Sequence, residues 1–354
     1  MGKQTKQVII KILKISIAVG LIYWLINAGL LDLEALAELI HPIPILAGLS
    51  LQLLNLFGNN WRWLTLLRAR GIMTTHLRTM RLTMIGIFFN FAFPGGVGGD
   101  IVKGYYLVQE HPKKKLDAAM TVLVDRIVGL FSMLTLALIG SGLLWGTLST
   151  HSGFRYTVLV TSFFWVGALC FFALALHPRV RSSSWIQKLF DRVPGGKLFE
   201  KLFRALCSYG DHKAELFKAF GISLVSQMGN ICYAFVIGSF LGLNLDFSVY
   251  FCLVPIGIVA TTLGVAPAGI GVGQTAFYFL FKMYSEEAGQ LGAIIVTAFQ
   301  GTLFTLGLVG AMFYMQGRRP GDQEHFTELE DSGLESIEVE GESQVAESAD
   351  GVKL

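Results

Sequence analysis

Charged residues are scarce in this sequence: Asp, Glu, Lys and Arg make up 15% of its 354 residues, against about 25% in a soluble domain. With 53% hydrophobic residues and a mean hydropathy of +0.57, the deficit excludes an ordinary water-soluble fold. Cysteine is also sparse. Cys170, Cys207, Cys232 and Cys252 form no Cys-x-x-Cys pair and no ligand cluster with histidine. They read as free thiols in apolar helices. His76, His111 and His177 all fall near loops. The chain has no Gly-x-x-x-x-Gly-Lys-Ser/Thr run, no paired carboxylates, no His-rich metal set and no nucleophile elbow. No cofactor, metal or nucleic-acid partner is therefore expected, and catalytic residues are none.

What is abundant is long apolar sequence. Runs near 20 residues suffice to cross a bilayer. They lie at about 8–30, 43–67, 118–145, 156–177, 217–241 and 290–315. The first, Val8 to Leu30, is too long for a signal-peptide core and precedes no small-x-small cleavage site, so it reads as a retained span. Two further stretches, 79–107 and 248–283, are apolar but broken by Pro and Gly.

Lys and Arg in short loops set the orientation. Lys3, Lys6, Lys11 and Lys14 place the N-terminus in the cytoplasm, and Asp32, Glu34 and Glu38 place the next loop outside. Arg68, Arg70, Arg78 and Arg81 flank one side of 79–107, and Lys103, Lys113, Lys114 and Lys115 the other. A segment with both flanks inside cannot be a single crossing, so 79–107 is expected to be a re-entrant hairpin. By the same count 248–283 begins and ends outside, as a second hairpin or a tight pair of spans. Arg318 and Arg319 put the C-terminus inside.

The intervening loop 178–215 is basic and lies inside. Within it, 185–206 alternates apolar residues with bases around Pro194-Gly195-Gly196. That pattern fits an interfacial amphipathic helix or a connecting helix packed on the bundle. Residues 321–354 hold eleven acids and one base, Lys353. Setting these aside from the 25 acids and 28 bases leaves the rest at +13, which suits an anionic cytoplasmic leaflet. The tail 318–354 reads as disordered and cytoplasmic. The membrane domain is 1–317, with about six full spans plus the two hairpins.

The two interruptions resemble each other. One reads Phe93-Pro94-Gly95-Gly96-Val97-Gly98-Gly99-Asp100, the other Ala266-Pro267-Ala268-Gly269-Ile270-Gly271-Val272-Gly273-Gln274. Matching broken helices of opposite orientation are the sequence sign of inverted repeats. The fold class is therefore all-α, a polytopic helical membrane protein with two inverted repeats and two Pro/Gly-broken re-entrant hairpins. Spans 43–67 and 118–145 flank the first hairpin, and 217–241 and 290–315 the second. Non-helical backbone at membrane depth is tolerated only inside protein or beside a wet cavity. The exposed amides at the helix start that follows can hold an anion.

Ionisable residues inside apolar spans are costly and mark function. Asp125 and Arg126 sit within the third full span, and Asp100 and Lys103 close the first hairpin motif. Asn90 precedes Pro94 by one turn. Gln52, Asn55, Asn59, Asn60 and Arg62 form a polar set beside Trp61 and Trp63. Arg62 is expected to snorkel to the cytoplasmic end, and the tryptophan pair to form an interface belt. Gln227, Asn230, Gln274 and Gln300 are the polar residues of the second half. The expected substrate site is a cavity at the repeat interface built from Asn90, Pro94, Gly95, Gly96, Gly98, Gly99, Asp100, Lys103, Asp125, Arg126, Pro267, Gly269, Gly271 and Gln274. Lys103 and Arg126 would meet an anionic headgroup, with Asp100 or Asp125 balancing or gating it. An internal ion pair tying helices together is the structural alternative for Asp125 and Arg126. Gly142-x-x-x-Gly146 permits a close helix contact.

The combination Asn90…Pro94-Gly95-Gly96-Val97-Gly98-Gly99-Asp100-x-x-Lys103, Val124-Asp125-Arg126-x-x-Gly129 and Pro267-Ala268-Gly269-Ile270-Gly271-Val272 resembles the lysylphosphatidylglycerol synthase transmembrane, or flippase-like, family. This is the family of the membrane half of bacterial multiple-peptide-resistance factors. The resemblance covers about residues 5–317. It implies a helical domain of the inner (cytoplasmic) membrane that moves or handles lipids, such as aminoacylated phosphatidylglycerol or polyprenyl-linked sugars. The family often has Arg where Lys103 stands and Glu where Gln274 stands, so a titratable group is missing at the latter position. Full-length synthases carry a soluble aminoacyl-transfer domain after the last span. Here an acidic tail stands there, so the chain is expected not to make lysyl-lipid by itself. The leading expectation is a translocase for a phospholipid or a polyprenyl-linked sugar, a transporter and not an enzyme. The alternatives are a membrane-embedded headgroup transferase or hydrolase, and a non-transporting membrane partner of a separate glycosyltransferase or synthase. Its partners would be membrane lipids, with a membrane-protein partner or a homo-oligomer left open.

Overall fold

The protein is described by a computed structural model over residues 23, 39–92, 98–178, 196–242, 244–262 and 267–316. Among these residues there are eleven α-helices and no strand. In chain order they are α1 (Pro42–Ala69), α2 (His76–Ala92), α3 (Gly98–Glu110), α4 (Lys115–Leu143), α5 (Trp145–Leu148), α6 (Ser152–Leu176), α7 (Gly196–Cys207), α8 (Lys213–Phe240), α9 (Phe247–Thr262), α10 (Val272–Lys282) and α11 (Glu286–Gln316). The expected first span, 8–30, lies outside the described residues apart from Tyr23, as do 185–195 and the acidic tail.

The ends of α1 show how sequence sets the elements. Pro42 starts it, where the missing amide proton costs nothing. Gly71 ends it with φ +65°. The Ile72 amide donates to Leu67 O at 3.0 Å and the Gly71 amide to Arg68 O at 2.9 Å, the paired bonds of a Schellman cap.

Four helical runs are long and apolar enough to cross a membrane: Pro112–Leu143, Ser152–Leu176, Lys213–Phe240 and Glu286–Gln316. At 25 residues even the shortest reaches about 38 Å, more than the roughly 30 Å of hydrocarbon. α1 is as long as α8, at 28 residues, but its polar row from Gln52 to Arg62 makes it less apolar than the four. The α6 helix settles the solvent question. It leaves Tyr156, Leu159, Val160, Phe163 and Phe164 exposed along most of its length. In water that strip would be a contiguous apolar patch, whereas lipid solvates it at no cost. The molecule is a polytopic helical membrane protein.

Two helix pairs are interrupted where the sequence places Pro and Gly. The α2/α3 pair closes on glycine: a methyl on Gly99 would overlap the Gly86 carbonyl. In α9/α10 a methyl on Gly257 would meet the Phe277 ring, and one on Gly269 would stand 2.6 Å from Thr261 O.

The long helices meet in reciprocal fashion. Where α1 crosses α8, Gly58 closes on Ser226 and Gly229 closes on Asn55, with 3.0 Å between an added methyl and Asn55 Cβ. Farther out, Gly140 of α4 abuts the Cys252 backbone of α9, and Gly310 of α11 abuts the Met84 backbone of α2. Gly142 and Gly146, expected to permit a close helix contact, have nothing within 4 Å among the described residues. Gly140 takes that role, because it faces α9 while Gly142 is turned away.

The α7 helix packs on α4 and α6 through Phe203, Ala205 and Leu206, leaving Phe199 and Lys201 exposed. Just beyond it, Tyr209 donates to Leu66 O at 3.0 Å, and burial pushes its phenol above the ordinary value. The Arg70 side chain stacks over the same ring and pairs with Asp117, while its Nη1 donates to Ser208 O at 2.5 Å. Together these tie the ends of α1, α4 and α7 into one plate.

Gly58→Val and Gly140→Leu should force α1 from α8 and α4 from α9. Overpacking of this kind costs about 1–3 kcal/mol, and a thermal melt in detergent should move down by several degrees. Gly142→Ala, in open space, should leave the midpoint where it is. Equal shifts for Gly142→Ala and Gly140→Leu would contradict the packing.

Candidate functional site

The site begins with the α2/α3 junction. The Gly99 amide donates to Asn90 Oδ1 at 2.9 Å, so an α2 side chain caps α3. An amide proton needs an oxygen, which fixes Oδ1 toward Gly99 and leaves the Asn90 NH2 on the other side. That cap sets the first turns of α3, placing Asp100 and Lys103 on the face toward α4.

The Asp125 carboxylate of α4 lies at the centre, 7% exposed. Arg62 Nε donates to its Oδ1 at 2.8 Å, and Lys103 Nζ to its Oδ2 at 3.4 Å. Arg62 also donates from Nη1 to Asn59 Oδ1 at 3.1 Å and to Ser223 Oγ at 2.8 Å. The Ser223 hydroxyl is 2.7 Å from that of Ser132. Lys103 Nζ lies 4.1 Å from the centroid of the Trp63 ring. The network ties α1, α3, α4 and α8 together. Buried charges persist only when paired and hydrogen-bonded, and here each has more than one partner.

One turn toward the surface of this cluster, Arg126 Nε donates to Asp100 Oδ2 at 2.8 Å, with Lys103 Nζ 3.9 Å from the other Asp100 oxygen. Three cations, Arg62, Lys103 and Arg126, thus face two carboxylates, Asp100 and Asp125.

The second junction is neutral. Gly271, with φ +84°, caps α10, and its amide donates to Gln274 Oε1 at 2.7 Å. Gln274 Nε2 donates to Gln300 Oε1 at 2.7 Å and to Thr297 Oγ1 at 3.1 Å. Gln300 Nε2 in turn donates to Ala268 O at 3.2 Å. Ala268 itself sits at φ +50°, a conformation that costs a non-glycine residue of order 1 kcal/mol and that clusters at functional sites.

A cavity of about 250 Å³ joins the two junctions. Asn90 and Arg126 line it from the first half, and Thr261, Thr262, Gly269 and Gln300 from the second. The other described residues that line it are apolar.

A comparison with protein families matches residues 11–310 to the lysylphosphatidylglycerol synthase TM region. The chain belongs to that family. No match was found among curated proteins, and none among solved structures.

In this lysylphosphatidylglycerol synthase TM region, the expected site residues fall into three groups. Asn90, Arg126 and Gly269 line the cavity. Asp100, Lys103 and Asp125 stand behind Arg126 as its ionic support, while Gly98, Gly99, Gly271 and Gln274 build the two helix starts and the Pro267–Gly269 turn connects α9 to α10. Pro94, Gly95 and Gly96 lie outside the described residues. Two expectations are corrected. Arg62 does not snorkel; it is buried on Asp125, because that carboxylate lies within reach and the helix end does not offer a better partner. Trp63 is not part of a belt; it is buried at 1% exposure under Lys103, and only Trp61 is exposed. The site list lacked Arg62, Thr261, Thr262 and Gln300. The signal for Arg62 was present: Gln52, Asn55, Asn59 and Arg62 recur at three- and four-residue steps and so share one helix face.

Asp125→Ala would leave Arg62 and Lys103 buried without their carboxylate. Breaking such a pair costs about 3–5 kcal/mol, so the thermal midpoint of the purified protein should drop sharply. Asp125→Leu combined with Arg62→Met and Lys103→Met should recover most of that loss. A single Asp125→Ala variant as stable as the parent would rule out the buried network.

Proposed function

We propose that the chain is a translocase, in the cytoplasmic membrane, for a lipid with a polar headgroup: a phospholipid or a polyprenyl-linked sugar. The cavity carries this reading. It is polar at Arg126 and Asn90 on one side and at Thr261, Thr262 and Gln300 on the other, and it is walled by both interrupted helix pairs. A headgroup would sit against Arg126 while the chains remain in the bilayer.

The reciprocal glycine contacts support two structural repeats, and the Lys/Arg count gives them opposite orientation with both termini in the cytoplasm. The short second arms support re-entrant hairpins. α3 has 13 residues and α10 has 11, about 20 and 17 Å long, too short for the hydrocarbon alone. Alternating exposure would then be a rocking of one repeat against the other about the α1/α8 crossing, with the hairpins opening in turn. Asp100 has a part in this: it holds Arg126 when no headgroup is present and yields it to an incoming anion.

The protein reconstituted in liposomes with fluorescent short-chain lipids should accelerate the loss of dithionite protection. Arg126→Ala and Asp100→Asn should each slow it by about tenfold or more, the cost of one charge-assisted hydrogen bond at roughly 1.5–3 kcal/mol. Wild-type rates no faster than in protein-free vesicles, across phosphatidylglycerol, phosphatidylethanolamine, aminoacylated phosphatidylglycerol and a polyprenyl phosphate sugar, would sink the translocase reading.

A further inference from the structure

Away from the cavity, the start of α2 is gripped by one side chain of α1. Asn60 is 1% exposed. Its NH2 meets two atoms of His76, the main-chain carbonyl at 3.1 Å and the ring Nδ1 at 3.0 Å. Its Oδ1 faces the Thr83 hydroxyl at 3.5 Å, two turns further along α2. The Phe57 ring of α1 stacks on the imidazole, with centroids 4.4 Å apart and planes at 26°. The His76 carbonyl also accepts from Thr79 Oγ1 at 3.0 Å, and Thr75 Oγ1 accepts from the Arg78 amide at 3.2 Å. One amide thus holds both the helix start and the His76 ring.

That arrangement fixes the tautomer. A flipped Asn60 amide would set its oxygen against the His76 carbonyl, so the NH2 stays where it is and its second N–H points at Nδ1. Nδ1 therefore carries the lone pair and Nε2 the proton. Nε2 is buried and has no hydrogen-bond partner among the described residues. A further proton can enter the ring only at Nδ1, where it turns the accepting atom into a donor facing the Asn60 NH2. Donor against donor ends the grip. The Phe57 face attracts an imidazolium, but that attraction does not depend on Asn60 and survives a ring that has swung away from it. The charged groups of the surrounding elements are Arg62 of α1, held on Asp125 of α4, and Arg78 and Arg81 of α2. On α3, Glu110 pairs with Arg78 and Asp100 with Arg126 and Lys103. Next to Glu110, His111 donates from Nδ1 to Leu107 O at 3.1 Å.

We infer that Asn60 and His76 form a proton-released clasp at the base of the first interrupted helix pair: with His76 neutral the start of α2 is bound to α1, and a proton on Nδ1 frees it. Histidine is the side chain that titrates near neutral pH, and the Lys/Arg count assigns this end of the bundle to the cytoplasm. The fold binds the neutral ring, so the clasp holds above the range in which histidine titrates and is lost as pH falls through it. At its other end α2 carries Asn90, which caps α3 and lines the cavity. Cytoplasmic acid thus loosens the arm on which that wall is built. The clasp stands apart from the translocase reading, since it belongs to the arm and is the same for any cargo.

Hydrogen–deuterium exchange of the purified full chain tests this, at about pH 7.5 and about pH 5.5, on either side of the histidine range. Rates are corrected for the intrinsic pH dependence of exchange. Amides in the first two turns of α2 should exchange about tenfold faster in acid, the effect of losing one buried hydrogen bond, while those of α4 change by less than about twofold. His76→Gln offers Asn60 an acceptor that does not titrate, so α2 should stay slow at both pH values. His76→Phe keeps the stack without an acceptor, so α2 should be fast at both. His111→Gln should keep the parent's acid step. The absence of that step from the parent, its survival in either His76 variant, or its loss in His111→Gln would each overturn the clasp.

Discussion

The structure turns on one buried carboxylate. Asp125 takes hydrogen bonds from Arg62 on α1 and Lys103 on α3, and neither cation could sit so deep without it. In a membrane interior the desolvation of a charge is not recovered from water, so each member needs the others. The consequence is positional. With Lys103 fixed over Trp63, α3 is held in register with α4, and Asp100 meets Arg126 at the edge of the cavity. The ionic layer is thus a scaffold that positions Arg126 at the cavity wall, while Arg62, Lys103 and Asp125 are buried behind it.

Around that layer, packing is made by small residues. Lipid tails are as apolar as leucine, so helices in a bilayer gain little from burying apolar surface against each other and rely on close backbone approach. Gly58, Gly229, Gly140 and Gly310 provide it. The two junctions nevertheless differ in chemistry. The first is latched by charges, the second by the Gln274–Gln300–Ala268 chain of neutral amides. The two interrupted helix pairs therefore carry unequal latches, one ionic and one neutral.

The helical runs were legible in the sequence because hydropathy and length report directly on what a bilayer demands. The five expected spans that fall in the described residues match α1, α4, α6, α8 and α11 to within a few residues. The cavity residues were half legible. Asn90 and Gly269 stand beside Pro and Gly breaks, where irregular backbone announces a site, and Arg126 is an ionisable residue inside an apolar span. Thr261, Thr262 and Gln300 lie in otherwise ordinary helix, and threonine in a membrane helix most often bonds its own backbone, as these do. Gly142 and Gly146 matched a known spacing, yet the contact formed at Gly140, because spacing fixes a helix face without saying what lies across from it.

By itself, the sequence determined that this is a helical membrane protein, where its helices run, where they break, and which ionisable residues are too costly to be incidental. Each of those follows from local composition against a uniform solvent, the bilayer. Tertiary structure alone decided who pairs with whom: that Asp125 belongs to Arg62 and Lys103, and Asp100 to Arg126. Partner choice among buried charges depends on distances of a few ångströms between helices far apart in the chain, since Coulomb attraction and hydrogen bonding fall away steeply beyond contact. No one-dimensional spacing carries that information.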